Sequence, residues 1–374
     1  MSLNFEYFDS GNRKALEVIL PGSSEGIEQS ELVKKTFLTA KELDRSVVMF
    51  DYPVEADMKK RLDTLQEILN KCNFKEYRTV RLIGKSLGGV VAATYLTGLE
   101  IKEQERYELV ILGYIPGGTN IHNIVSKISI FQGGKDKYGD FEKIRTDVQG
   151  AISQKMMINE ISGADHSFRD PVSGSSKYLD KVLELLFINQ KLEKEPPKKG
   201  TKRKLGIEPV TQKFNYDCGV ATVSNLLLML QREDLLKTDL SQRLEVSPVD
   251  GTRIRKIKDL FDEEGIEYSE TMGAEISDLE AVLAVGYICM VCYQAWGTDE
   301  EINTLESGHY SVIFDIDDES IWFIDPSVRQ EDAIGDGIGV IRRNRQEFDK
   351  NWKDKGMEGE VYDHWMLAIK VPRC

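Results

Sequence analysis

Histidine and cysteine are scarce in this chain, long apolar runs are missing, and positive charge is in deficit. Only five cysteines occur (Cys72, Cys218, Cys289, Cys292 and Cys374). So few, and an odd number, argue against a disulfide framework and fit a reducing, cytoplasmic setting. The formal net charge of −14 excludes a general nucleic-acid binder, which needs a basic surface, and disfavours binding to anionic membranes. No stretch approaches ~18 uninterrupted apolar residues, so no membrane-spanning helix is expected. Met1 to Glu17 is polar and mixed, without a basic stretch leading into an apolar core, so no secretory leader is expected. No second Cys/His pair with zinc spacing accompanies Cys289-x-x-Cys292, which sits in a strand-like run and would face opposite sides of it. Gly335-Asp336-Gly337-Ile338-Gly339 lacks the strand-to-helix context of a dinucleotide motif. The acidic cluster Asp315, Asp317, Asp318 and Glu319 lacks calcium-loop spacing and reads as a hairpin turn. No cofactor or metal is therefore expected.

What remains is enough apolar material for two cores: 374 residues, of which 41% are hydrophobic. The chain divides at residues 193–206, where Glu193-Lys194-Glu195-Pro196-Pro197-Lys198-Lys199-Gly200-Thr201-Lys202-Arg203-Lys204 is charged, proline-bearing and almost free of apolar residues. Such a run cannot bury surface and reads as a solvated linker between domains 1–192 and 207–374.

In the first domain, short apolar runs alternate with helical spacing. Leu16–Leu20, Ser46–Phe50, Thr79–Ile83, Leu109–Tyr114, Ile128–Phe131 and Met156–Ile161 read as strands. Residues 28–42, Met58–Lys71, Val90–Leu99 and Lys177–Leu192 read as helices. That alternation predicts a parallel sheet sandwiched by helices. In the second domain, helices from Gly219, over Thr252–Glu264 and over Ser277–Val285 precede strands Tyr287–Tyr293, Tyr310–Asp315, Ile321–Ile324 and Met366–Val371, the order of an α+β domain.

The first chemical signal is Gly84-Lys85-Ser86-Leu87-Gly88-Gly89, between an apolar strand and a helix of small residues. It is the context of a nucleophile elbow: a serine in a strained turn with nearly side-chain-free neighbours. Asp136, in Phe131-Gln132-Gly133-Gly134-Lys135-Asp136, and His166, in Gly163-Ala164-Asp165-His166, each follow a strand. His166 would deprotonate Ser86 and Asp136 would hold the imidazole, with Asp140 as the alternative acid. The Leu87 N–H and the Ser23 N–H, in Leu20-Pro21-Gly22-Ser23-Ser24, are the candidate oxyanion donors. His122 has no partner motif and reads as structural.

Over about residues 14–190 these features resemble the α/β-hydrolase superfamily, and the Gly-Lys-Ser-Leu-Gly-Gly form is similar to small hydrolases of the dienelactone-hydrolase and testis-expressed-30-like groups. The resemblance implies hydrolysis of an ester, thioester or amide of a small acyl substrate. One departure is that no histidine precedes the glycine of the early loop.

The second signal is Gln212-Lys213-Phe214-Asn215-Tyr216-Asp217-Cys218-Gly219, followed at once by an apolar helix. A cysteine at a helix N-terminus is activated by the unpaired N–H groups there. Gln212, six residues earlier, is placed to reach an oxyanion. His309, in Gly308-His309-Tyr310-Ser311-Val312, opens one strand, and Asp325, in Ile324-Asp325-Pro326, ends the next, so neighbouring strands can present base and orienting acid together. His364 is the alternative base. Over about residues 207–330 this pattern resembles the C39-like branch of the papain-like cysteine peptidases. It implies a papain-like α+β domain that cleaves a peptide or isopeptide bond. The double-glycine specificity of transporter-fused C39 peptidases does not carry over, because no transporter segment is present. Some C39-like domains have lost the cysteine and serve as binding modules, whereas Cys218 is retained here. Alternatives are that one domain binds while the other catalyses, or that acyl groups pass to an amine.

Overall fold

The computed structural model describes residues 3–23, 26–27, 29–153, 155–194, 205–329, 337–356 and 359–372. Its contacts divide the chain into Met1–Glu195 and Pro196–Cys374. Most of the expected linker, residues 195–204, lies outside the described residues, as do Ser24, Gly335, Asp336 and Cys374. The other four cysteines are free thiols. Among the described residues no helix is long and apolar enough to cross a membrane.

The N-terminal unit runs β1 (Phe5–Phe8), β2 (Ala15–Leu20), α1 (Glu31–Glu42), β3 (Ser46–Phe50), α2 (Met58–Lys71), β4 (Thr79–Lys85), α3 (Leu87–Thr97), α4 (Ile101–Gln104), β5 (Tyr107–Leu112), β6 (Lys127–Gly133), α5 (Phe141–Asp147), β7 (Met156–Ile161), α6 (Leu179–Leu186) and α7 (Ile188–Lys194). Its strands lie in the order β1-β3-β2-β4-β5-β6-β7. All pair in parallel except β1, which runs antiparallel to β3. Strands such as β2 and β3 are buried almost throughout because helices cover both faces. Ile19, Val47, Met49, Ile83, Val110 and Leu112 form one core with Leu32, Val33 and Phe37 of α1 and Val182, Leu183 and Leu186 of α6. Alternation sends Val18, Leu20 and Leu82 to the opposite face, where α3 packs with α2 beside it.

Several details differ from the sequence expectation, among them the short helices α4 and α5, which it did not include. β1 was not anticipated, because its alternation is too short to stand out. The expected helix Lys177–Leu192 is two helices, since the chain turns at Phe187 (φ −114°, ψ 16°), whose ring lies under Arg81.

One charge is sealed within this sheet. Glu17 of β2 is fully buried and accepts hydrogen bonds from Arg81 of β4, directly opposite it, and from Arg45. A desolvated carboxylate of this kind is stable only while its partners stay.

The C-terminal unit runs α8 (Cys218–Met229), α9 (Glu233–Leu236), α10 (Leu240–Arg243), α11 (Ile254–Glu263), β8 (Tyr268–Met272), α12 (Ile276–Ala284), β9 (Tyr287–Gln294), α13 (Asp299–Ile302), β10 (Gly308–Ile316), β11 (Ser320–Ile324), β12 (Val340–Asn344), α14 (Arg345–Asn351), β13 (Lys353–Lys355), β14 (Val361–Asp363) and β15 (Met366–Lys370). The order β8-β15-β9-β10-β11-β12 is antiparallel at every pairing. β13 and β14 form a separate hairpin. α8 lies across β10, its Thr222 hydroxyl donating to the Tyr310 carbonyl at 3.0 Å. Val223, Leu226 and Leu227 of α8 close a core with Ile288, Met290, Val312 and Phe314. The unit is thus an α+β arrangement of mostly antiparallel strands, with β8 between two helices where the sequence reading placed every strand later. All four tryptophans (Trp296, Trp322, Trp352 and Trp365) belong to it.

Removing the sealed charge in the N-terminal sheet takes the buried carboxylate from Arg45 and leaves Arg81 only its pairing with Glu108. Glu17→Ala is therefore expected to destabilise the fold by about 3–5 kcal/mol. Urea denaturation followed by far-ultraviolet circular dichroism measures this, and an unchanged midpoint would contradict it.

Candidate active sites

The serine turn is built by exclusion of side chains. A Cβ on Gly84 would sit 2.5 Å from the Gly88 carbonyl carbon and the Gly89 Cα, and one on Gly88 would sit 2.7 Å from the Pro21 carbonyl oxygen. A Cβ on Gly89 would press against Ile111 at 2.8 Å. With nothing between them, β4 and α3 meet so closely that Ser86 takes φ 50°, ψ −115°, a conformation costly for a residue with a Cβ. Its N–H donates to the Leu112 carbonyl at 2.9 Å, which fixes the turn to β5.

His166 stands over this turn with its Nε2 2.8 Å from Ser86 Oγ and its Nδ1 2.6 Å from Asp136 Oδ2. Asp136 is buried and also accepts from Gln132 Nε2 (2.8 Å) and the Tyr138 N–H (2.9 Å). Asp140 does other work: it caps α5, accepting from the Lys143 N–H at 3.0 Å. The early loop passes beside the serine, since a Cβ on Gly22 would lie 3.9 Å from Ser86 Cβ. Ser23 follows Gly22 and is exposed, and Leu87 opens α3.

Several residues around the serine escaped the sequence reading. Gly113 (φ 79°) leaves room for the imidazole, because a Cβ there would lie 2.8 Å from His166 Cε1. Gln132 accepts from the Tyr114 N–H at 2.7 Å while donating to Asp136. The Tyr138 ring meets His166 edge-on with centroids 4.6 Å apart. Asp165 Oδ1 accepts from the Ser167 and Arg169 N–H groups, both at 2.8 Å, and so folds the histidine loop. The one sequence signal for these was Gly133-Gly134 before Asp136; the others depend on which strands lie side by side.

In the C-terminal unit Cys218 is the first residue of α8 and is partly buried. Asp217 does not cap the helix with its side chain. Its oxygens instead accept from the Lys213 (3.2 Å) and Phe214 (3.0 Å) N–H groups, leaving the helix mouth open to an anion. Gly219 is required by close packing, since a Cβ would fall 2.5 Å from Thr252 Cβ. Asn225 holds the preceding segment against α8 through two bonds to Val210, and the Gln212 N–H donates to the Pro326 carbonyl at 2.8 Å. Gln212 Nε2 donates to the Phe214 carbonyl at 2.8 Å, and the amide is buried.

His309 is nearly sealed from solvent. Its Nε2 lies 2.8 Å from Asp325 Oδ1, and Cys218 is the other group that acts on the ring electrostatically. Burial opposes charge on this imidazole, but the bond to Asp325 and the influence of Asp325 and Cys218 outweigh it and raise its pKa to about 9. Burial likewise opposes the Asp325 carboxylate, yet His309 and Ser327 hold it ionised, well below the usual range. Its donors include the Ser327 hydroxyl (2.7 Å), the Ser327 N–H (2.9 Å) and the Tyr293 hydroxyl (3.0 Å). Trp296, half exposed, lies 4.9 Å from the His309 ring. Gly308 is glycine because a Cβ would meet Asp354 Oδ2 at 2.5 Å, and burial raises that carboxyl to about 6. His364 is engaged elsewhere, with Asp363 at 2.8 Å and Asp349 at 3.3 Å. Cys289 and Cys292 are buried in β9, and burial pushes the Cys292 thiol well up.

Gly113→Ala would displace the His166 ring, so fluorophosphonate labelling of Ser86 is expected to slow about 100-fold; labelling at the wild-type rate would contradict this geometry. Alkylation of Cys218 by iodoacetamide is expected to step upward near pH 9, where His309 loses its proton and its hold on the sulfur. Asp325→Asn removes a charge that raises the pKa while burial remains, so the step should move to lower pH. A pH–rate profile in which the step stays put would contradict the pairing.

Comparison with known proteins bears on the first unit. A family model described as an alpha/beta hydrolase domain matches residues 22–187. No curated protein matches the chain. Solved structures with detectable likeness include an alpha-beta serine hydrolase homologue from Coxiella burnetii, 19% identical over 48% of this chain and 85% of that one, TM-score 0.39. Another is a serine hydrolase without a lid from Xanthomonas campestris, 17% identical over 49% and 84%, TM-score 0.40. A third is alpha/beta hydrolase domain-containing protein 10 from mouse, 14% identical over 51% and 94%, TM-score 0.40.

Proposed function

We propose that this chain, whose N-terminal unit is an α/β-hydrolase domain, is a two-site acyl-transfer enzyme working on ester, thioester or amide bonds at Ser86 and on peptide or isopeptide bonds at Cys218. The observation that carries the first half is the continuous path from Ser86 Oγ through both nitrogens of His166 to Asp136, with steps of 2.8 and 2.6 Å. In this reading Ser86 Oγ attacks the substrate carbonyl and passes its proton to His166 Nε2. Asp136 stabilises the imidazolium, and the Leu87 and Ser23 N–H groups receive the developing oxyanion. The proton then moves from Nε2 to the leaving group, and water repeats the sequence to release the acid.

The second half rests on the same logic in a different scaffold. Cys218 at the mouth of α8 is the nucleophile, His309 the base and Asp325 the residue that orients it. The free N–H of the Gln212 amide serves the oxyanion beside the Cys218 N–H. Support comes from the 2.8 Å bond between His309 and Asp325, the uncapped start of α8 and the influence of Cys218 in raising the His309 pKa. We read this unit as a papain-like, C39-like peptidase domain spanning 207–374, joined by the linker 193–206 to a hydrolase domain spanning 1–192. A cytoplasmic, reducing setting keeps Cys218 a thiol, and neither nucleic acid nor membrane enters the scheme.

Two substitutions separate the sites. Ser86→Ala is expected to abolish fluorophosphonate labelling and leave iodoacetamide labelling at Cys218 intact, and Cys218→Ala the reverse. Mass spectrometry of labelled peptides reads both outcomes, and labels that survive the matching substitution would refute the assignment at that site.

A further inference from the structure

The carboxyl edge of the N-terminal sheet holds a cation and a phenol that the triad does not use. Leu20 of β2 stands beside Gly84 of β4, and Ile19 beside Met49 of β3, which places Phe50 next to Leu20. Two residues beyond that row lie Ser86, Gly22 and Tyr52, each on its own strand's exit. With strands ~4.8 Å apart, Tyr52 leaves the sheet about 10 Å from Ser86 on the same edge, with the Gly22 loop between them.

Arg61, in the first turns of α2, lies over Tyr52, its guanidinium carbon 4.6 Å from the ring centroid. Its Nε donates to the Ala56 carbonyl at 3.0 Å, which pins the group in place. Its Nη1 is buried and has no hydrogen-bond partner among the described residues, and the same is true of the Tyr52 hydroxyl. Burial keeps that phenol protonated, so it remains a donor. A buried donor without an acceptor is destabilising, and a buried guanidinium nitrogen more so. Two such donors, stacked on each other, call for an acceptor that the described residues do not supply.

Building on the proposed role of Ser86, we infer that Arg61 and Tyr52 form a subsite for a carboxylate carried by the acyl substrate, so that the preferred substrates are monoesters or monothioesters of dicarboxylic acids. A guanidinium nitrogen and a hydroxyl present two donors to the two oxygens of one carboxylate. The stack on Tyr52 and the bond to Ala56 hold the guanidinium before substrate arrives, so little freedom is lost on binding. The separation of about 10 Å between strand exits leaves room for a short methylene chain between the carboxylate and the reacting carbonyl.

The test uses the full chain and a series of mono-para-nitrophenyl dicarboxylates from glutarate to suberate, each beside its methyl-capped neutral counterpart. Wild-type protein is expected to prefer the charged ester of at least one length by tenfold or more in kcat/KM. Arg61→Ala and Tyr52→Phe should each bring that preference down towards unity, and Arg61→Lys should recover part of it. Tyr52→Phe removes a single oxygen atom, so it guards against a variant that fails to fold. No preference in the wild type, or a preference that survives both substitutions, overturns the subsite. Calorimetric titration of the matching free dicarboxylate needs no turnover: tenfold weaker binding to Arg61→Ala supports the subsite, and equal binding overturns it. Binding lost in Arg61→Ala, together with no fluorophosphonate labelling of Ser86, would uphold the carboxylate site while removing the hydrolytic role of Ser86.

Discussion

The backbones of α3, β2 and β4 touch with no side chain between them, and the geometry around Ser86 follows from that contact. Three glycines, at 84, 88 and 89, would each lodge a methyl group in another residue if they carried one. Their absence of side chains lets the helix start immediately where the strand ends, and the single residue in between absorbs the change of direction at φ 50°. The strain is local and is held by the parallel sheet on either side, from the Ser86–Leu112 bond to the buried Glu17–Arg81 pair lower in the strands. The sheet thus acts as a rigid frame that keeps one hydroxyl pointing outward.

The two imidazoles solve the problem of orientation differently. His166 keeps 16% of its side chain exposed, and Asp136 is shared among ring, glutamine and backbone donors. His309 is shut in, with 1% exposure, and its carboxylate partner collects donors from Tyr293 and Ser327 as well. Sealing the second pair raises the stakes of its charge state, because a buried imidazolium is tolerable only beside compensating negative groups. The difference follows from the scaffolds: the first histidine rides on a loop above a sheet edge, and the second sits within a strand under a helix.

Much of this arrangement was legible from residue order, and the reasons for the remainder are specific. Ser46–Phe50, Met58–Lys71 and Met156–Ile161 coincide with elements of the structure, because long apolar periodicity leaves few alternatives. Ser86, Asp136 and His166 come together at one point, as do Cys218, His309 and Asp325. Each of these residues stands at a strand end or a helix start, where turn-forming neighbours mark it. Tyr293, Gly113 and Gln132 carry no such mark. Tyr293 meets Asp325 because β9 and β11 flank β10 on either side, and Gly113 meets His166 because the β7 exit crosses the β5 exit. Strand adjacency is a property of the folded sheet that local spacing does not encode. The break at Phe187 carries no local mark either: helical periodicity continues through it, while the backbone there leaves the helical conformation.

Trp296 gives the C-terminal unit a further property. Its indole is half open to solvent and lies 4.9 Å from the His309 imidazole, whose pKa is raised to about 9. A protonated imidazole in contact with an excited indole quenches its emission, and a neutral one does so far less. Trp296 is therefore an internal optical gauge of His309: its emission should brighten as the ring discharges, beside any response of Trp352, which lies 5.2 Å from the His364 ring, and an occupant of the Cys218 site that alters the His309 charge would announce itself without a dye.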